Sequence, residues 1–177
     1  MVSILIAFDI ALNLIGTMFP IKVFTRQIMF TFIPTAISSF LFGPVVAIAY
    51  GIISDVLGYF IGGGAGGEFF PGYTLSAVLG ALIYSVFLYR TRISMFKIFI
   101  SKFFVNIFVN AYLGSVWLSI LYSKKTFYAY LIGGITKNLI LLPIEVFILI
   151  IVFKKIIPIS KNYDFLSQKV SNEIKII

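Results

Sequence analysis

From Gln27 to Ser54 the chain carries no Lys, Arg, Asp or Glu. A run of that kind cannot lie on a water-facing surface, and it sets the terms for the rest of the fold. A helix that crosses a bilayer takes roughly 20 mostly apolar residues, so this run is too long for one span and short for two. Gly43-Pro44 is a turn signal inside it and divides it into two helices. The same economy of charge holds throughout: 60% of residues are hydrophobic and 11% charged, with a mean hydropathy of +1.09. A soluble domain is about a quarter charged. These features predict an all-α integral membrane protein, because helices satisfy their backbone hydrogen bonds internally where lipid offers none.

Six helices account for most of the chain. They are expected from about Val2 to Phe19, Gln27 to Phe42 (interrupted by Pro34), Val45 to Ile61, Tyr73 to Tyr89, Ile98 to Tyr122 and Phe127 to Phe153. Residues 1–153 then form a six-transmembrane-helix bundle, and residues 154–177 a polar cytosolic tail. Residues 1–19 have no preceding Lys or Arg and no clear small-residue cleavage site, so they are read as a first helix and not as a signal peptide. Lys and Arg mark the cytoplasmic side of a membrane protein. With six spans one side carries Arg90, Arg92, Lys97, Lys154, Lys155, Lys161, Lys169 and Lys175, with Lys102 close by. The other carries Lys22, Arg26, Lys124, Lys125 and Lys137. Both termini are therefore expected in the cytoplasm, and the glycine run Gly62–Gly67 with Phe69-Phe70-Pro71-Gly72 is expected outside. Pro71-Gly72 reads as a turn that aims Tyr73 and Thr74 inward.

The chain has no Cys and no His. Disulfides, thiol nucleophiles, common zinc sites and Ser-His catalysis are excluded. The glycine run ends in Glu68 without the Lys-Ser/Thr pair of a phosphate-binding loop, and no GxSxG motif occurs. Asp9, Asp55 and Glu145 are too dispersed along the chain to suggest a carboxylate pair. Neither a cofactor nor a metal is expected, and any ATP energy must come from another subunit. What remains is recognition. Asn106, Asn110 and Asn138 need hydrogen-bond partners in an apolar setting; they suit either a heteroaromatic edge or contacts between helices. Lys102, Asn106, Asn110 and Trp117 share one helical face. Phe70, Tyr73, Tyr112 and Trp117 suit stacking on a flat ring or an interfacial belt. Arg26 and Lys137 each lead into a helix, where a carboxylate ligand would be a partner. On the first helix Ser3, Ala7 and Ala11 form a small face opposite Asp9 and Asn13. Such faces pack closely, within the bundle or against a partner.

The ordered motifs resemble those of the substrate-binding subunits (S components) of energy-coupling factor vitamin transporters, and within them the folate family. The resemblance runs from about Ala7 to Phe153. It rests most on Phe70-Pro71-Gly72-Tyr73-Thr74-Leu75-Ser76-Ala77, Leu82-Ile83-Tyr84 and Leu88-Tyr89-Arg90. Further matches are Arg26, Phe32-Ile33-Pro34, Leu41-Phe42-Gly43-Pro44, Asp55-Val56-Leu57-Gly58, Asn106, Asn110, Trp117-Leu118-Ser119, Leu121-Tyr122, Lys137-Asn138 and Pro143. The resemblance implies a vitamin importer of the cell membrane. Folate would sit near the outer face against Arg26, Phe70, Pro71, Gly72, Tyr73, Thr74, Asn106, Asn110, Trp117, Lys137 and Asn138. The segments Pro20–Thr25 and Gly63–Gly72 would close over it. Ala7 and Ala11, in the AxxxA pattern of the family, would dock onto a transmembrane coupling subunit that two ATPases drive. Rival readings are another flat vitamin (thiamine, riboflavin or a queuosine precursor) and an assembly subunit that binds no ligand. Nothing points to nucleic acid.

Overall fold

The computed structural model describes residues 1–19, 22–23, 26–27, 30–62, 68–91, 93–122 and 126–162, and the side chains of these apart from 22–23, 26–27 and 159–162. The glycine run 63–67, most of the expected gate at 20–25, Arg92, Lys124, Lys125 and the tail beyond 162 lie outside the described residues. The elements in order are α1 (Val2–Met18), a short antiparallel hairpin of β1 (Lys22–Val23) and β2 (Arg26–Gln27), α2 (Phe32–Ile61), α3 (Pro71–Leu88), α4 (Met95–Phe104), a π-helical stretch (Val105–Leu113), α5 (Gly114–Leu121) and α6 (Phe127–Asn162). Among the described residues, three helices are long and apolar enough to cross a membrane: Phe32–Ile61, Pro71–Leu88 and the continuous rod Met95–Leu121. Val2–Met18 is a shorter apolar helix.

Several boundaries differ from the sequence expectation for local reasons. The second helix begins at Phe32 and not at Gln27, because Arg26-Gln27 pairs with Lys22-Val23 in the hairpin. Pro34 does not interrupt that helix: it falls in the first turn, where its missing N–H has no carbonyl to reach. Pro71-Gly72 is not a turn. Phe70 is extended at the N-cap and Pro71 is the first residue of α3, the position its fixed φ suits best. At the other end of the chain α6 runs past Phe153 to Asn162.

Gly43 is the corner of the fold. Its φ of 80° and ψ of −174° break α2 internally, in a region of backbone space open to glycine alone. The contacts on its two sides run in opposite senses along α3. Before the break, Ser39 donates to Ala81 O at 2.9 Å and Gly43 lies against Tyr89, so both numbers rise together. After it, Gly51 lies against Ala77 and Val78, and Asp55 accepts from Thr74 at 2.6 Å, so one number rises as the other falls. The uncharged run is thus folded back on itself at the point its Gly-Pro pair marks.

The surface and the interior have exchanged their usual chemistry. Ile4, Met18, Val45, Phe60, Val86, Phe96, Ile132 and Phe147 stand exposed, while Asp9, Ser38, Ser39, Ser85, Ser101, Lys102, Asn106, Ser115, Asn138 and Glu145 are buried. An apolar exterior of this extent faces lipid. The apolar core joins Phe32, Phe40, Tyr84, Leu88, Ile98, Val109, Leu149 and Phe153 from α2, α3, α4, the π-helical stretch and α6. Phe40 meets Phe153 edge-on with ring centres 5.5 Å apart.

A Cβ added at Gly43 would stand 2.6–2.9 Å from the Tyr89 ring. Gly43→Ala should therefore lower stability by about 1–3 kcal/mol from backbone strain alone, with the clash in addition. Thermal unfolding in detergent measures the loss. Adding Tyr89→Ala should recover only the clash component.

Candidate functional site

The helices enclose a cavity of about 380 Å³, within the range that holds a small organic ligand. Residues from α1, α2, α3, the Met95–Leu121 rod and α6 all reach it.

Its most tightly built wall comes from the Met95–Leu121 rod and α6. Lys102 is 1% exposed, and its Nζ lies 3.3 Å from Glu145 Oε1. The same ammonium sits 3.9 Å above the Phe32 ring, so the cation is held by a carboxylate and an aromatic face together. The second oxygen of Glu145 accepts from Asn106 Nδ2 at 2.7 Å. Asn106 Nδ2 also lies 3.4 Å from Asn138 O, and its Oδ1 accepts from Asn110 Nδ2 at 2.9 Å. Asn138 in turn donates to Gly134 O at 2.8 Å. The chain Lys102–Glu145–Asn106–Asn110 thereby fixes which way each amide points. Asn106 and Asn110 both fall in the π-helical stretch Val105–Leu113, a wider winding common at functional sites.

A second group of lining residues is acidic. Asp9 and Asn13 reach the cavity from α1, and Ser54 and Asp55 from the second half of α2. Asp55 is engaged by the Thr74 hydroxyl at 2.6 Å. Carboxylates far apart in sequence therefore line one space. A third, aromatic corner lies at the start of α3. The Phe70 ring is 5.8 Å from Tyr73 and 5.5 Å from Trp117, edge-on to each. Trp117 Nε1 donates to Ser76 Oγ at 2.9 Å. Gly72 makes this corner possible: a Cβ there would run into the Phe70 ring and stand 2.9 Å from Trp117.

Of the residues singled out from sequence, Tyr73, Asn110, Lys137 and Asn138 line the cavity directly. Asn106, Thr74 and Trp117 stand behind it and hold the lining residues Asn110, Asp55 and Ser76 by hydrogen bonds. Phe70 and Gly72 act through the aromatic corner, and Pro71 starts the helix that carries it. Arg26 lies in β2, and its side chain is outside the described set. Ala7 and Ala11 are exposed on the outer side of α1, opposite buried Asp9. Sequence reasoning passed over Asp9, Asp55, Lys102 and Glu145 as site residues, although each is an ionisable group inside an apolar helix. That placement is itself the signal for a functional position. Lys102, counted near the basic loop, is instead inside the bundle. No sequence signal marked Thr31 or Thr35, which also line the cavity, as does Tyr84 of the Leu82-Ile83-Tyr84 match.

Breaking a buried pair by removing one partner costs about 3–5 kcal/mol, whereas replacing both costs far less. Lys102→Met should therefore destabilise strongly in a detergent melting experiment. Lys102→Met combined with Glu145→Gln, which keeps an acceptor for Asn106, should recover most of the loss.

Residues 1–153 match the family model described as "ECF transporter, substrate-specific component". The chain is 36% identical over 149 residues to the folate transporter FolT of Clostridium novyi (strain NT), covering 84% of this chain and 85% of that one. It is 29% identical over 148 residues to the folate transporter FolT of Leuconostoc mesenteroides, covering 81% and 79%. A solved structure titled "Crystal structure of FolT bound with folic acid" superposes with a TM-score of 0.68 at 28% identity, covering 82% of this chain and 86% of that chain.

Proposed function

The chain belongs to the family of ECF transporter substrate-specific components, and from that premise we propose that it binds folate for import into the cell. The observation that carries the reading is the cavity itself. It offers a flat aromatic corner at Tyr73, amides at Asn110 and Asn138, and a cation at Lys137. A pterin presents a flat ring edged with donors and acceptors, and the glutamate end of folate presents carboxylates, so each part of the ligand has a matching group. Two relatives that bear the name folate transporter, one of them 36% identical, support the same ligand over thiamine or riboflavin.

In this reading the chain crosses the cell membrane six times with both termini in the cytoplasm. The reversal at Gly43 supports the count, since it divides α2 into two segments that run in opposite senses. The excess of Lys and Arg at Arg90–Lys97 and beyond Phe153 supports the orientation. Folate enters from the outside. Residues 154–177 remain on the cytoplasmic side. The exposed Ala7–Ala11 face of α1 docks on a transmembrane coupling subunit, and two ATPases drive the loaded protein to tilt and release folate inward. The protein itself performs no catalysis.

Purified protein should bind folate without ATP and carry a folate-type ultraviolet spectrum. Asn110→Ala should weaken binding about tenfold by titration. Protein that ignores folate but takes up thiamine or riboflavin would refute the ligand while leaving the family in place. Replacing Ala7 and Ala11 by Leu should abolish folate uptake in cells while leaving folate binding by the purified protein intact. Loss of binding in that variant would place α1's small face inside the fold and not at a partner.

A further inference from the structure

Two buried side-chain oxygens have no hydrogen-bond partner among the described residues: Asp9 Oδ1 and the Tyr84 hydroxyl. Both residues line the cavity. Asp9 is 7% exposed and Tyr84 1%, so bulk water does not satisfy them. Leaving a buried polar atom unmet costs about 1–3 kcal/mol, and more when it is charged. Elsewhere in the same bundle the buried polar side chains find acceptors or donors: Ser39, Ser85, Ser101, Asn106, Ser115 and Asn138 are all engaged. Both unmet atoms thus belong to residues that line the cavity, where a turn of the side chain would bring them to a ligand.

The charges around the cavity are sorted. Lys102 pairs with Glu145 and has Lys137 nearby. The Asp9 carboxylate is met by the Ser54 and Tyr50 hydroxyls and has Asp55 near it, its Oδ1 staying unpartnered, and neither Asp9 nor Asp55 forms an ion pair among the described residues. Asp55 has its donor in Thr74. Asp9 retains an open oxygen in an apolar helix, a placement that calls for an N–H-rich group.

We propose that Asp9 is a specificity-determining ligand contact, its carboxylate accepting from the 2-amino group and adjacent ring N–H of the pterin. This rests on the folate reading above. Those two N–H groups lie side by side on one edge of the ring, as in a guanidinium, and a carboxylate accepts such a pair in parallel. Asn13, one turn further along α1, lines the same cavity. The amides of the Lys102–Glu145–Asn106–Asn110 chain are then left for the remaining edge of the ring and for its substituent. Asp9 thus reads the feature that separates a 2-amino pterin from a flat ring without paired donors.

The test is titration of wild type and Asp9→Asn with folate and with a folate analogue in which a methyl group replaces the 2-amino group. Wild type should prefer folate by at least about tenfold. Asp9→Asn, which keeps the shape but not the charge, should lose about tenfold or more for folate and little for the analogue, so the preference collapses. Wild type that binds both equally overturns the proposal without any variant, and so does Asp9→Asn with unchanged folate affinity. Equal losses for both ligands, with a lowered melting temperature, would make Asp9 a structural residue and also overturn it. Wild type that binds neither ligand removes the folate reading itself, and this inference with it.

Discussion

Lipid offers a polar group no hydrogen bond, so every charge drawn into a membrane helix must be answered inside the protein. That constraint organises the bundle more than the apolar packing does. Lys102 is answered by Glu145 and by the face of Phe32, and Glu145 by Asn106 as well. One ion pair thereby ties α2 and α6 to the Met95–Leu121 rod and fixes the orientation of the neighbouring amides. The apolar residues can then face outward at little cost, because lipid is as apolar a neighbour as another leucine. A buried ion pair is weak evidence for net stability; here its value is positional, since it decides where Asn106 and Asn110 present their amides.

The same constraint shapes the backbone. A 30-residue helical run from Phe32 to Ile61 could have been one long rod. Gly43 turns it back instead, and the two halves embrace α3 from opposite directions. The second half then brings Asp55 to Thr74 and Ser54 to Asp9's side of the cavity, while the first brings Phe32 to Lys102. Without the reversal the acidic and basic walls would not enclose a common space. The aromatic corner depends on a different device: Gly72 lets Phe70 and Trp117 close over the start of α3 where any side chain would hold them apart.

Much of this was legible in the sequence, and what was not has physical causes. The absence of charge from Gln27 to Ser54 and the Gly43-Pro44 pair gave away the membrane class and the reversal. The amides were recognised because a helix interior in lipid cannot tolerate them unpaired. The shared face of Lys102, Asn106 and Asn110 holds, since Asn110 bonds Asn106 and both Asn106 and Lys102 meet Glu145; what the period does not reveal is the partner on α6. Asp9, Asp55 and Glu145 looked unrelated because sequence distance says nothing of which helices will stand side by side. The start of α2 at Phe32 lies five residues beyond the expected Gln27, roughly a turn and a half of helix. Polar β1 and β2 are too short to announce themselves by alternation, which needs about 4 or more residues to be seen. In sequence Pro34 and Pro71 look like breaks, whereas both lie in the first turn of a helix, an ambiguity local to proline: it stops a helix when it comes late and seeds one when it comes first.

The π-helical winding of Val105–Leu113 has a consequence for how this chain can vary. A π-helical stretch holds more residues per turn than an α-helix of equal length, so it stores surplus chain in the middle of a rod whose ends are both committed. Lys102 is fastened below it to Glu145, and Trp117 above it to Ser76. Loss of one residue from that stretch can be taken up by a return to ordinary winding, with little change in where Lys102 and Trp117 point. Loss of one residue from α4 beyond Lys102 or from α5 before Trp117, where no surplus is stored, would turn Trp117 by about 100° away from the aromatic corner while the ion pair stayed in place. The length of this rod is thus negotiable in one place and fixed on either side of it.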